Sequence, residues 1–228
     1  MGKRMIRVEK LVKTVPSGDG QLNILKGIDL EINTSQSAAI VGPSGSGKST
    51  LLGLLAGLDT PTSGDVFLDG QSLAAMTEDQ RAALRARSVG FVFQSFQLLP
   101  SLTALENVML PLELAGRRSP RQRAQQLLKD LELDHRQHHY PRLLSGGEQQ
   151  RVAIARAFAS EPAILFADEP TGNLDVNTGA HISDLLFRLN REQGTTLVLV
   201  THEQALADHC ERAFEMRDGE LCELAVAR

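Results

Sequence analysis

Eight consecutive residues combine three glycines with a lysine and a serine at a spacing suited to phosphate. They run from Gly42 to Ser49, between the apolar run Ala38–Val41 and the helical pattern Thr50–Ala56. The glycines let backbone N–H groups converge on phosphate oxygens, and the start of the helix adds partial positive charge. Lys48 supplies a full charge to the β- and γ-phosphates, and Ser49 offers a hydroxyl to Mg²⁺. The flanking strand and helix favour a nucleotide site over a chance Gly/Ser-rich turn.

A pair of carboxylates follows a second apolar run, Ala163–Ala167. The run predicts a central strand buried on both faces, which delivers Asp168 and Glu169 to the edge where open α/β sheets bind ligands. There Asp168 is suited to hold Mg²⁺, and Glu169 is suited to activate the water that attacks a γ-phosphate. Alone, such a pair is usually a strand end that meets solvent. Together with the phosphate loop, it predicts hydrolysis.

A second anion motif, Leu144–Glu148, precedes the helical run Gln149–Arg156. Ser145 can cap that helix, and the two glycines after it leave backbone N–H groups exposed. Since the chain has a single phosphate loop, the economical arrangement is a head-to-tail pair of chains. In that arrangement, the motif of one chain closes on a nucleotide held by the other.

The elements that must position these motifs alternate between short strands and helical patterns, which predicts an α/β fold with a parallel sheet. The N-terminal part favours a small antiparallel sheet, and a mostly helical stretch from about residue 97 to 156 predicts an inserted lobe. Apolar residues at helical spacing mark core-facing stripes at Ala124, Leu127, Leu128 and Leu131 and at Ile182, Leu185, Leu186 and Leu189. The predicted strands are Ile6–Val12, Ile24–Ile32, Ser37–Val41, Gly64–Leu68, Val89–Phe93, Ala163–Ala167, Thr195–Val200, Arg212–Met216 and Glu220–Leu224.

Composition excludes several classes of protein. The 228 residues include 24 Lys and Arg against 28 Asp and Glu, a net charge of −4 that argues against nucleic acid as a partner. Cys210 and Cys222 are too few for a disulfide framework and lack metal-ligand spacing. No apolar run is long enough to cross a bilayer, and no secretory signal is recognised. We therefore expect a cytosolic chain whose membrane role comes through a partner.

In their type and order, these motifs resemble those of the nucleotide-binding subunits of ABC transporters, over roughly residues 5 to 225. The resemblance implies a P-loop NTPase fold with a RecA-like parallel sheet, an N-terminal antiparallel β-subdomain and an inserted α-helical signature subdomain. One ABC ATP-binding domain is expected over 5–226, with a core lobe of about 1–94 and 160–228 and a helical lobe of about 95–159.

The resemblance also assigns roles to residues that would otherwise look ordinary. Gln94 and His202 could be a surface glutamine and a strand-end histidine; in the family pattern they are the Q-loop and the switch histidine. The implied catalytic residues are Glu169, His202, Lys48 and Gln94, and the implied Mg²⁺ ligands are Ser49, Gln94 and Asp168. The implied ATP-contacting residues are Gly42, Pro43, Ser44, Gly45, Ser46, Gly47, Lys48, Ser49, Thr50, Gln94, Ser145, Gly146, Gly147, Asp168, Asp175 and His202.

The stretches Gly57–Gly64, Thr103–Val108 and Asp168–Asp175 are similar to the lipoprotein-release, macrolide-export and division-associated branch of that family. This similarity implies a homodimer at the cytoplasmic face of the bacterial inner membrane. Its partner would be an integral membrane permease with a large extracytoplasmic domain, used to export or extract lipophilic or lipoprotein-type molecules. Two alternatives stay open: a switch or scaffold for envelope or division factors, and an ABC ATPase acting on ribosomes or DNA.

Three further features are weighed against ordinary explanations. The family commonly stacks an aromatic residue on adenine where this chain has Val15, so we expect modest ATP affinity and loose discrimination among bases. His135, His138 and His139 are more consistent with a solvated linker than with a metal site. The stretch Arg117–Arg123 contains four arginines; it is either a solvated helix start or a surface for lipid headgroups or a membrane subunit.

Overall fold

A computed structural model describes residues 3–18 and 20–224. The strands are β1 (Arg4–Ser17), β2 (Gly20–Asn33), β3 (Ser37–Val41), β4 (Ser63–Leu68), β5 (Gln71–Ser72), β6 (Val89–Phe93), β7 (Ile164–Asp168), β8 (Thr196–Thr201), β9 (Arg212–Arg217) and β10 (Glu220–Leu224). The helices are α1 (Lys48–Leu55), α2 (Glu78–Ser88), α3 (Ala104–Leu114), α4 (Pro120–Asp130), α5 (Gly146–Ala159), α6 (Val176–Gln193) and α7 (Gln204–Ala207). The chain divides into two compact units, one of Met1–Arg85 with Thr196–Arg228 and one of Ala86–Thr195.

The first unit contains both an antiparallel and a parallel arrangement of strands. In the antiparallel sheet the order is β2-β1-β4-β5, and β1 and β2 pair along most of their length. In the parallel arrangement β3 pairs with β8 on one side and β9 on the other, and β10 pairs antiparallel with β9. β3 and β8 are almost wholly buried, as expected for strands covered on both faces.

In the second unit β6 and β7 pair in parallel beside four helices. The two apolar stripes predicted from the sequence are buried, with Leu131 at the C-cap of α4 rather than inside the helix. A capping box starts α3, since Thr103 accepts from the Glu106 amide and the Glu106 carboxylate accepts from the Thr103 amide. The wholly buried Asn107 fixes the segment before this helix. Its side chain accepts from the Leu99 amide and donates to three backbone carbonyls.

All nine predicted strands occur, with ends shifted by a few residues. β5 was not predicted, because two residues leave no alternating pattern. The expected lobe of about 95–159 contains α3, α4 and α5, and the compact unit around it also takes in β6, β7 and α6. The assignment of functional lobes stays a prediction. No helix within residues 3–18 and 20–224 is long and apolar enough to cross a bilayer.

Candidate functional site

Close backbone contacts restrict which residues the phosphate loop of the first unit can carry. Gly42 has φ 152°, and a Cβ added there would overlap the carbonyl oxygen of Met216. Gly47 has φ 105°, and a Cβ there would lie 3.1 Å from the carbonyl oxygen of Ile24. Both positions therefore require glycine, on conformational and on steric grounds. The loop leaves β3, and α1 begins at Lys48, two residues before the predicted helical pattern Thr50–Ala56.

Lys48 is directed back into its own loop. Its side chain is buried, and its Nζ donates to the carbonyl oxygens of Gly42 and Pro43 at 2.8 and 2.9 Å. Inside the same loop, the buried Ser46 Oγ has no hydrogen-bond partner within residues 3–18 and 20–224. Buried hydroxyls are normally paired, so this oxygen fits a loop that receives a polar ligand. Ser49 lies exposed in the first turn of α1.

His202 lies at the same sheet edge as the phosphate loop. Val41 at the end of β3 is paired with Thr201 at the end of β8, so Gly42 and His202 are the next residues of two neighbouring parallel strands. The carboxyl ends of parallel strands form the edge where such sheets bind ligands. The His202 side chain is exposed there, as a residue that meets a bound ligand must be.

The acidic pair and Gln94 come together in the second unit. Phe93 of β6 is paired with Asp168 of β7, so Gln94 and Glu169 follow at one sheet edge. A Cβ added at Gly172 would lie 2.9 Å from Gln94 Nε2 and 3.1 Å from Glu169 Oε2, which places both polar groups around this glycine. Glu169 has φ 45°, a backbone conformation that residues other than Gly, Asn and Asp rarely adopt. Such backbone geometry is concentrated at functional sites.

Two residues that were given no role from the sequence hold Gln94 and the segment just after it. Asn173 donates to the Gln94 carbonyl at 2.9 Å and accepts from Gln94 Nε2 at 3.1 Å. Arg156 of α5 donates to the carbonyls of Phe96 and Gln97, both of which have positive φ. Burial lowers the pKa of Arg156, but its hydrogen bonds are those of a charged guanidinium. These contacts join residues far apart in sequence, so no local spacing predicts them.

The helix that follows the second anion motif starts with a complete capping box. Ser145 Oγ accepts from the Glu148 amide at 3.3 Å, and Glu148 Oε2 accepts from the Ser145 amide at 2.8 Å. Burial alone would raise the pKa of Glu148, but hydrogen bonds from Ser145 and from Arg136 hold it below its ordinary value. The amides of Gly146 and Gly147 precede the first intrahelical donors, so the helix itself provides no acceptor for them. Gly146 is half-buried and Gly147 is buried, and the binding of an anion by their amides stays a prediction.

Asp175 caps the next helix of the same unit. Its Oδ1 accepts from the Thr178 amide at 3.1 Å, and hydrogen bonds from the Thr178 side chain and amide lower the pKa of Asp175. Thr178 also lies against the second anion motif, because a Cβ added at Gly147 would lie 2.6 Å from its Cγ2. Thr178 was missed by sequence reasoning, although the Asp-x-x-Thr spacing is a recognisable cap.

No cluster of three or more His, Cys, Asp or Glu suited to a metal ion occurs within residues 3–18 and 20–224. A Mg²⁺ bound with a nucleotide needs fewer protein ligands, because phosphates and water supply the rest. The predicted ligands Ser49, Gln94 and Asp168 offer hydroxyl, amide and carboxylate oxygens, which is the donor set that Mg²⁺ prefers. Cys210 is buried, and burial raises the pKa of its thiol to about 12, so it stays protonated.

Comparisons with known proteins place this geometry in a family. The family model described as ABC transporter matches residues 25–172. The ABC transporter ATP-binding protein YbbA of Escherichia coli is 55% identical over 225 residues, 98% of this chain and 99% of that protein. The lipoprotein-releasing system ATP-binding protein LolD of Xanthomonas campestris is 49% identical over 226 residues, 98% of this chain and 95% of that protein.

Two solved structures have the same fold. A dimeric structure of MJ0796, a bacterial ABC transporter cassette, superposes with a TM-score of 0.91 at 44% identity over 98% of this chain and 100% of that one. A second MJ0796 dimer, in a post-hydrolysis state bound to ADP and Pi, has a TM-score of 0.90 at 43% identity and the same coverage. The chain therefore belongs to the ABC transporter family: it is an ATP-binding subunit with the ABC ATPase cassette fold, and it hydrolyses ATP.

Proposed function

We propose that two copies of this chain bind ATP head to tail and energise a membrane permease that exports or extracts lipophilic or lipoprotein-type molecules. The permease would have a large extracytoplasmic domain, and the chain would lie at the cytoplasmic face of the inner membrane. The similarity to LolD, named for a lipoprotein-releasing system, supports the substrate class. The dimeric MJ0796 cassettes support the assembly.

The observation that carries the dimer is the start of α5. Ser145 and Glu148 cap each other, while the amides of Gly146 and Gly147 are left without an acceptor in the helix. These two donors and the partial positive charge of the helix start form half of an anion site. A second copy of the chain, presenting its phosphate loop with bound ATP, supplies the missing half. The exposed Val176, 88% accessible, offers apolar surface for such an association.

Each residue of the site then has a distinct task. Lys48 exchanges the carbonyls of Gly42 and Pro43 for phosphate oxygens when ATP enters the loop. Glu169 takes a proton from the attacking water at its carboxylate, and His202 donates a hydrogen bond toward the γ-phosphate. When bound, Mg²⁺ neutralises phosphate charge, and Ser49, Gln94 and Asp168 would hold it.

The assembly is tested with Glu169→Gln, which keeps the size of the side chain and removes the base. With ATP, this variant should elute from a sizing column as a dimer, and it should be a monomer without nucleotide. Adding Gly146→Asp places a negative charge where the γ-phosphate must bind, and should return the protein to the monomer. Its Cβ meets only ordinary contacts, 3.4 Å from Leu174 and 3.7 Å from Phe96, so the fold tolerates it.

The matched control is Glu169→Gln with Ala83→Asp, the same charge at an exposed position of α2. This control should remain dimeric with ATP. A strictly monomeric Glu169→Gln protein, both alone and in complex with its permease, contradicts the proposal. ATP turnover by reconstituted chain and permease, with release of a lipid-modified protein from the membrane as the readout, tests the substrate class.

A further inference from the structure

A cluster of arginines lies away from the residues assigned to ATP. Between Leu114 and Arg123 the chain carries four arginines and no acidic residue, although the whole protein has a net charge of −4. We call Arg117, Arg118, Arg121 and Arg123 the arginine cluster. It occupies the end of the α3–α4 connection and the first turn of α4 in the second unit. Like charges this close repel one another unless an anion is present.

Three members of the cluster have no counter-charge in the part of the chain that the structure describes. The side chains of Arg117, Arg118 and Arg121 make no hydrogen bond or ion pair within residues 3–18 and 20–224. Arg123 reaches Glu161 at 3.4 Å, but its buried Nε has no acceptor in the same part of the chain. A buried donor without an acceptor is unfavourable, because it has lost its hydrogen bonds to water. The cluster therefore presents both unpaired charge and an unsatisfied donor.

Three of these arginines surround a cleft. Arg117, Arg118 and Arg123 line a space of about 200 Å³. Its lining also includes Ser160 and Glu161, which follow the C-terminal end of α5. A cation at a helix C-terminus stabilises the helix, but one guanidinium is enough for that effect, which falls off within a turn. The three arginines and Glu161 together give the lining a net charge of +2. Guanidinium groups in this arrangement are suited to a phosphate group.

An apolar side chain lies beside the cluster. Leu114 ends α3 three residues before Arg117, and 81% of its surface is exposed. A free phosphate gains nothing from an exposed leucine, whereas a phospholipid surface combines phosphate headgroups with an acyl boundary that accepts it. Leucine next to several basic residues is the composition of segments that bind at membrane interfaces.

We propose that the arginine cluster binds the phosphate of an anionic phospholipid headgroup while Leu114 enters the interface, so that the ATPase contacts the bilayer directly. This contact is separate from ATP binding and from the attachment to a permease. It adds a second, salt-sensitive link between the chain and the membrane. The proposal does not depend on which molecule the permease handles.

The test is sedimentation of the purified full chain with vesicles, without permease. Wild type should sediment with vesicles of equal parts phosphatidylcholine and phosphatidylglycerol, and should stay in solution with phosphatidylcholine alone. Since each basic residue strengthens binding to an anionic surface by about fivefold, Arg117→Ala/Arg118→Ala should weaken it by about thirtyfold. Arg87→Ala/Arg142→Ala, which removes the same charge from exposed arginines outside the cleft, should bind as wild type does.

Two further arms separate the lipid from other sources of phosphate. Leu114→Ser should weaken vesicle binding severalfold, and raising salt should release the protein. Inorganic phosphate, titrated by calorimetry, should bind wild type and Arg117→Ala/Arg118→Ala equally, because any binding at the phosphate loop is common to both. Three results would each overturn the proposal. They are equal sedimentation with both vesicle types, equal sedimentation of Arg117→Ala/Arg118→Ala and wild type, and an absence of vesicle binding together with phosphate binding that Arg117→Ala/Arg118→Ala abolishes. ATP turnover measured without vesicles should be the same in all these variants, so a negative result leaves the proposed function standing.

Discussion

The two glycine-rich anion motifs solve the same chemical problem in different ways. In the phosphate loop, Gly42 abuts the backbone of β9, and Lys48 binds carbonyls of its own loop. In the second motif, Gly147 abuts only a side chain, that of Thr178, and the cap is built from Ser145 and Glu148. The first motif is preformed by backbone packing and carries its own cation. The second supplies donors and a helix dipole but no cation, so we expect it to bind ATP only as part of a dimer.

The largest expected effect separates the motifs by ATP affinity. Lys48→Ala removes the cation that we propose binds the β- and γ-phosphates. A hydrogen bond to a charged group is worth up to about 3 kcal/mol, so ATP affinity should fall by about a hundredfold. Gly146→Asp should leave the affinity of the isolated chain unchanged while turnover falls by about a hundredfold or more, as for a lost transition-state donor. Calorimetric titration of ATP and a steady-state phosphate assay measure the two quantities.

The control for that comparison is the helical content and thermal unfolding of each variant. An acidic residue in the first turn stabilises a helix, so the unfolding temperature of Gly146→Asp should not be lower than that of wild type. If Gly146→Asp lowered ATP affinity of the monomeric chain as much as Lys48→Ala does, both motifs would belong to one preformed pocket, and the comparison would fail.

The next effect concerns stability and uses alanine at each glycine. Gly42→Ala forces a Cβ into the Met216 carbonyl at a φ that alanine rarely adopts, so unfolding free energy should fall by about 3 kcal/mol or more. Gly147→Ala meets only Thr178 Cγ2. Replacing that threonine with serine removes the obstructing methyl, and alanine is then favoured over glycine in a helix by about 1 kcal/mol.

Urea unfolding at neutral pH measures these differences. Gly147→Ala/Thr178→Ser should be at least as stable as Thr178→Ser, whereas no side-chain change relieves Gly42→Ala. If Gly147→Ala/Thr178→Ser were as unstable as Gly42→Ala, the second motif would be locked by backbone as firmly as the first.

A smaller effect shows how far the phosphate loop alone accounts for ATP binding. Val15 lies in β1, a strand without an aromatic residue, where it is paired with Leu22. Val15→Tyr should raise ATP affinity by about fivefold or more, because stacking on a base is worth about 1–3 kcal/mol. The same change should alter GTP affinity by a different factor, so that the variant distinguishes between the two bases better than wild type does. Val15→Leu is the control for added apolar volume, and equal affinity of wild type and Val15→Tyr for ATP would show that the ring does not reach the base.

The sequence was informative where chemistry depends on local spacing. The phosphate loop, the strands before Gln94, Asp168 and His202, and the cap at Ser145 each follow from residues close together in the chain, and the structure contains those elements. Contacts between distant segments could not be predicted. The Met216 carbonyl behind Gly42 and the Asn173 amide on Gln94 depend on which strands and loops become neighbours, and Arg156 leaves no periodic signal. The roles proposed for the motif residues therefore rest on local sequence, whereas those of Met216, Asn173 and Arg156 rest on contacts that the structure shows.

The smallest expected effect is a pH dependence that the second motif and its neighbour show and the phosphate loop does not. The pKa values of Glu148 and Asp175 are lowered in the folded protein, so each carboxylate stabilises it above the unfolded pKa of about 4. That stabilisation is lost as pH falls below about 4 through the lowered folded values. Hydrogen exchange of the first turns of α5 and α6 should accelerate, relative to neighbouring turns, between mildly acidic pH and pH about 3.

Neutral variants separate the two caps in that experiment. Glu148→Gln should remove the pH dependence at α5 alone, and Asp175→Asn should remove it at α6 alone, since amide oxygens also cap helices. The amides at the start of α1 provide the internal reference, because no acidic residue lies in its first turn. If they showed the same acceleration, acid would be unfolding the chain as a whole. If α5 and α6 respond and α1 does not, carboxylate side chains stabilise the second motif, whereas backbone contacts stabilise the first.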